Sequence, residues 1–178
     1  MNTIQLERVM RSDSYGKWQF RGVFAADQLP KTVIAYPSAF IVNTDPASKP
    51  GTHWVAFYFT SQKKDEFFYS YGKPAYYNKN FEHFLKNNCS TWTYNHITLQ
   101  SLSSRQCGNY CLFYLLYRCR GITLTRILNC FHKNKEWNDR FVEQFIYNRF
   151  AKVLKQKTCN PSQSCASVYS KTRTQNIM

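Results

Sequence analysis

A chain of 178 residues that is 43% hydrophobic and 17% aromatic is long enough to bury one proper core and too apolar for disorder. Its longest apolar run, Tyr110 to Tyr117, is about eight residues, far short of the roughly 20 that span a bilayer, so no transmembrane helix and no membrane partner are expected. With 24 Lys and Arg against 10 Asp and Glu the formal net charge is +14, and no acidic residue lies between His83 and Lys135 or after Glu143; such a surface is expected to attract polyanions, nucleic acid foremost.

Taken in chain order, the segment from Met1 to Asp27 is mixed, with no dominant period. AFIVNT (Ala39 to Thr44) predicts a strand that closes on the Pro, Gly and Ser-rich loop DPASKPG. HWVAFYF (His53 to Phe59) predicts a buried strand, and EFFYSYG (Glu66 to Gly72) a second, joined to it by the polar link TSQKKD. FEHFLKNN (Phe81 to Asn88) predicts a short helix and HITLQ (His96 to Gln100) a short strand. Cys107 to Arg120 is apolar almost all round and predicts a helix in the middle of the core. Leu124 to His132 predicts a further helix, and apolar residues at 137, 141, 142, 145, 146, 150, 153 and 154 trace one face of a longer one. The expected fold class is α+β, a small mixed sheet packed on a central helix. Residues 1–157 form the domain, and 158–178, polar and basic, a mobile tail.

Seven cysteines, an odd number with no CxxC pair, fit neither a disulfide framework nor a structural zinc site, and no metal is expected. The N-terminal MNTIQLERVMRSDSYGKW lacks the apolar core of a secretory signal, so the chain is expected to be intracellular and not secreted.

One stretch carries chemistry. In SRQCGNYCLFYLLYRC, Cys107 opens the predicted core helix with Gly108 directly behind it. A helix N-terminus and a nearby imidazole both favour thiolate, the form in which cysteine attacks, and Gly108 is expected to let a substrate backbone approach closely. His53 opens the aromatic strand at a loop junction, and Gln100, seven residues before Cys107, is placed to donate to a developing oxyanion beside the Cys107 backbone N–H. Each residue alone reads as easily as packing. Their joint order is what singles them out.

That order, with IVNT, HWVAFYF, FYSYG and LQSLSSRQCGNYC, resembles the adenovirus endoprotease (adenain) family, cysteine proteases of the same broad clan as the SUMO-deconjugating proteases. The resemblance covers roughly Gly22 to Gly121. It implies Cys107 as nucleophile, His53 as general base and later acid, Gln100 as oxyanion donor, and Cys111 as a packing cysteine. It further implies a monomeric maturation endopeptidase of a DNA virus or virus-like transposon, acting on capsid precursor proteins in the virion and host nucleus. No cofactor is required for the chemistry; viral DNA and an activating peptide, disulfide-bonded through Cys89, are the implied activators.

The resemblance breaks at one position. The family places a carboxylate three residues before the glycine of the aromatic turn, and here that position is Tyr69. Strand alternation puts Glu66 and Ser70 on the opposite face, and Asp65 lies roughly 13 Å back along the strand. The expectation is a Cys107–His53 dyad that persists as thiolate and imidazolium, with the Tyr69 hydroxyl steadying the ring and a carboxylate at 69 raising kcat. Two alternatives stand beside it: a catalytically weakened or inactive basic protein associated with DNA or capsid, and a deconjugating protease for ubiquitin-like proteins.

Overall fold

The structure, a computed structural model, describes residues 1–61 and 64–156. The expected basic tail therefore lies outside the described residues. Five strands form one mixed sheet in the order β1 (Phe20–Phe24), β2 (Ser38–Asn43), β3 (Trp54–Phe59), β4 (Lys64–Phe68), β5 (Thr91–Tyr94). The outer pairs run parallel and the inner pairs antiparallel. Helices α1 (Thr3–Ser12), α2 (Gly16–Gln19), α3 (Lys79–Asn88), α4 (Cys107–Arg118), α5 (Leu124–Leu128) and α6 (Lys135–Leu154) complete the architecture. No helix among the described residues is long and apolar enough to cross a membrane.

The central strands explain the layering. β2 and β3 are continuous apolar runs rather than alternating ones, so both of their faces must be covered. Ala39, Ile41, Ala56 and Tyr58 pack toward α1, α4 and α6, while Phe40, Val42, Val55 and Phe57 pack toward Phe81, Phe84 and Leu85 of α3. The sheet is thus sandwiched between two helical layers, one more than the expected packing on a single central helix. α4 meets that expectation itself: every residue from Cys107 to Leu116 is buried.

Polar groups lock α4 against the sheet. Arg118 Nε lies 2.7 Å from Glu66 Oε2, and the Tyr114 hydroxyl donates to the same oxygen at 2.8 Å. Arg118 occupies the last helical turn, where the helix dipole also favours a cation.

Three local elements differ from the sequence expectation. β4 ends at Phe68, so Tyr69 to Gly72 form a turn, closed by the Gly72 N–H donating to the Tyr69 carbonyl at 2.7 Å. HITLQ is no strand; β5 is TWTY, just before it. The stretch is stitched to the 69–72 turn instead. Leu99 and Gln100 N–H both donate to the Ser70 carbonyl, and the Thr98 hydroxyl donates to that of Tyr71. α5 stops at Leu128, because tighter turns follow and the His132 N–H is taken by Asn138 Oδ1 of α6.

Candidate active site

His53 lies one residue before β3, and its carbonyl extends the β2–β3 ladder by accepting from Thr44 N–H at 2.9 Å. The backbone of this residue is therefore as fixed as the strand. Its half-buried ring is stacked on Tyr71, with centroids 4.7 Å apart, and meets the edge of Tyr69 at 4.8 Å. Nε2 lies 3.2 Å from the Ser70 hydroxyl oxygen.

Cys107 is the first residue of α4 and only 8% exposed. Its sulfur sits beside the backbone N–H groups of Trp54, next in the chain to His53, and of Gly108. Cys107 and His53 line the same cleft, of about 670 Å³, together with Trp54, Tyr71 and Arg105. The structure thus brings together the two residues that the sequence singles out from positions 54 apart. It does not hydrogen-bond them to each other.

Their protonation follows from the surroundings. Burial pushes the Cys107 thiol above its usual 9.0, against the opposing pull of the Trp54 and Gly108 N–H groups. Burial, then the Lys73 ammonium, push His53 down to about 4. Near pH 7 the pair therefore rests as neutral thiol and neutral imidazole. The expected thiolate–imidazolium pair needs a compensating charge, and among the described residues the ring meets Ser70, Tyr69 and Tyr71 but no carboxylate.

Tyr69, expected to steady the imidazole through its hydroxyl, contacts it with the ring alone and shares its hydroxyl with Tyr77. Ser70 takes the imidazole nitrogen instead. Alternation had assigned Ser70 to the other face, but alternation ends with β4 at Phe68. Glu66 does face away, toward α4.

Gln100 is 1% exposed and sits behind Ser70 rather than on the cleft wall. Its Oε1 accepts from the Ser70 hydroxyl at 2.7 Å, and its Nε2 donates to the Ser104 carbonyl at 2.9 Å. Both neighbours of Gln100 are clamped. The Leu99 carbonyl accepts from the Tyr110 hydroxyl and Asn138 Nδ2, while Ser101 donates through its N–H and hydroxyl to Asp139 Oδ2. Asn95, fully buried, bonds both main-chain groups of Tyr69 and so pins the start of the turn. Ser70, Asn95, Asn138 and Asp139 escape a reading of the sequence. The only trace was Gly72, whose turn breaks the alternation.

The remaining expectations fall elsewhere. Cys111 is wholly buried, as a packing cysteine should be. Cys89 caps the C-terminal end of α3 in the second core layer, its thiol donating to the Leu85 carbonyl at 3.3 Å and pushed up to about 12 by burial, then by Asp65. Gly108 leaves no room for a substrate: a Cβ there would lie 3.2 Å from both Leu6 and Met1 side-chain atoms, so its missing side chain admits α1 and its N-terminal flank.

The fold and site together define a mixed α/β protein with a histidine and a helix-opening cysteine in one cleft. No family model matches the chain, and no curated protein matches it. Among solved structures it is similar to a selenomethionine form of the ASFV pS273R protease, at 24% identity and a TM-score of 0.37, over 58% of this chain and 43% of that one. The chain therefore spans less than half the length of that protease.

Proposed function

We propose that the chain is a cysteine endopeptidase of the viral maturation type. The observation that supports this most is the shared cleft holding Cys107, at the start of a buried helix, and His53, at the start of β3. His53, neutral at working pH, takes the thiol proton as sulfur attacks a peptide carbonyl. The same proton goes to the leaving amine, a thioester remains on Cys107, and water assisted by His53 releases it. The Cys107 backbone N–H is the oxyanion donor in this reading, whereas Gln100, expected as a second, is held behind Ser70 and does not line the cleft.

The substrate class in this reading is capsid precursor protein. The partner is viral DNA, to which a chain of net charge +14 is drawn, and the place of action is the virion and host nucleus. An activating peptide bound through Cys89 would have to uncover a thiol that is now 8% exposed.

A second reading is a catalytically weakened or inactive basic protein associated with DNA or capsid. The uncharged Cys107–His53 pair favours it. Incubating the full chain with a peptide library, with and without duplex DNA, separates the two. The endopeptidase reading predicts cleavage that DNA raises and that Cys107→Ala removes. DNA retained at low salt with no cleavage in either condition supports the second reading.

A further inference from the structure

Around the imidazole, the direction of every hydrogen bond can be worked out from chemistry alone. The Ser104 carbonyl can only accept, so the Gln100 group facing it at 2.9 Å must be the amide nitrogen. Gln100 Oε1 therefore faces Ser70, and it too can only accept. The Ser70 hydroxyl must spend its single proton on that oxygen, at 2.7 Å. What Ser70 offers His53 is a lone pair. Nε2, 3.2 Å away, must carry a hydrogen and donate it, and Nδ1 is left unprotonated.

We propose that Ser70 is the positioning residue of His53, fixing the Nε2–H tautomer through a one-way relay from His53 to Ser70 to Gln100 to the Ser104 carbonyl. The relay supplies what a carboxylate would, namely an acceptor for Nε2–H, without a negative charge. It therefore orients the ring without supporting the imidazolium, which burial and then the Lys73 ammonium disfavour. The site is built for this. Ser70 is 1% exposed, its carbonyl receives Leu99 and Gln100 N–H, and the clamp on Leu99 and Ser101 prevents Gln100 from turning. The other groups facing the ring are the Tyr69 and Tyr71 rings, the Cys107 thiol across the cleft and the Lys73 ammonium. None of them offers a carboxylate.

The role rests on the Cys107–His53 reading, but its test does not need turnover. Long-range proton–nitrogen NMR of the ¹⁵N-labelled full chain at pH 7 reports the tautomer of each of its four histidines, with His53 assigned from His53→Gln. The expected result is a protonated Nε2 and an unprotonated Nδ1 at His53 in the wild type. Ser70→Ala should give averaged tautomers, Ser70→Thr should restore the fixed form, and Ser70→Asp should move the titration from about 4 to above the ordinary 6.5. A wild-type His53 protonated on Nδ1 would overturn the proposal with no variant needed. So would a folded Ser70→Ala variant with an unchanged tautomer. Absence of peptidase activity with the tautomer as expected counts against the proposed function and leaves the relay standing.

Discussion

His53→Ala is expected to lower kcat by about 10²–10⁴-fold, the usual worth of a positioned general base, with little change in KM. The wild-type enzyme should meanwhile stay active well below the ordinary histidine range. Catalysis needs neutral His53, and burial with Lys73 holds that group at about 4, so the acid limb of kcat/KM should fall there rather than near 6.5. At pH 5 the difference between the two positions is roughly 30-fold in neutral imidazole. Stability carries the same signature with a definite sign. Between pH 6.5 and 4 the unfolded chain binds a proton that the folded chain refuses, so stability falls as pH drops through that window and levels below it. His53→Ala should remove this contribution to the slope. A limb near pH 6.5, or a slope the variant leaves unaltered, would contradict the environment assigned to His53.

Gly72→Ala is expected to be the most damaging small substitution in the turn behind the site. Gly72 has φ +68°, where an alanine costs about 1–2 kcal/mol, and a Cβ would lie 2.7 Å from the Ile97 carbonyl carbon. Backbone cannot swing aside as a side chain can, so overpacking adds about 1–3 kcal/mol. A loss of roughly 2–5 kcal/mol corresponds to a Tm lower by roughly 5–15 °C for a domain of this size. Relief of the clash pushes on the segment that holds Gln100, so turnover should fall as well. Gly121→Ala is the control, since Gly121 has φ +80° but nothing within 4 Å of a Cβ. It should show the backbone cost alone. Equal losses at the two glycines would mean that the 72 turn and residues 96–97 do not press on each other.

These two predictions divide along what the sequence made legible. β2, β3, α3, α4 and α6 could be read from apolar period and aromatic content, because their burial is a property of the segment itself. The places of His53 and Cys107, just before β3 and at the start of α4, were legible for the same reason, whereas only their joint order with Gln100 singled them out as a site. The relay was not. Ser70 reaches the imidazole only because β4 stops two residues earlier, and HITLQ, with the alternation of a strand, spends its N–H groups on the Ser70 carbonyl instead. Asn138 and Asp139 clamp residues some 38 positions away in the chain, a relation that no local pattern carries. The neutral state of the pair was equally hidden, because it depends on how deeply the thiol and the ring are buried.

The most direct test of the account is a competition between thiols at pH 7. A small activated acyl ester is offered to the full chain, and acylation of each cysteine is followed by mass spectrometry in wild type and in His53→Ala. Cys130 is exposed and serves as the internal reference, whereas Cys107 is 8% exposed and held above 9.0. Left to itself, Cys107 should be the slower of the two. If His53 takes its proton during attack, Cys107 acylates faster than Cys130 despite its burial, and His53→Ala reverses the order without touching the Cys130 rate. A Cys107 that lags Cys130 in the wild type, and is indifferent to His53, would mean that the two residues share a cleft but not a reaction.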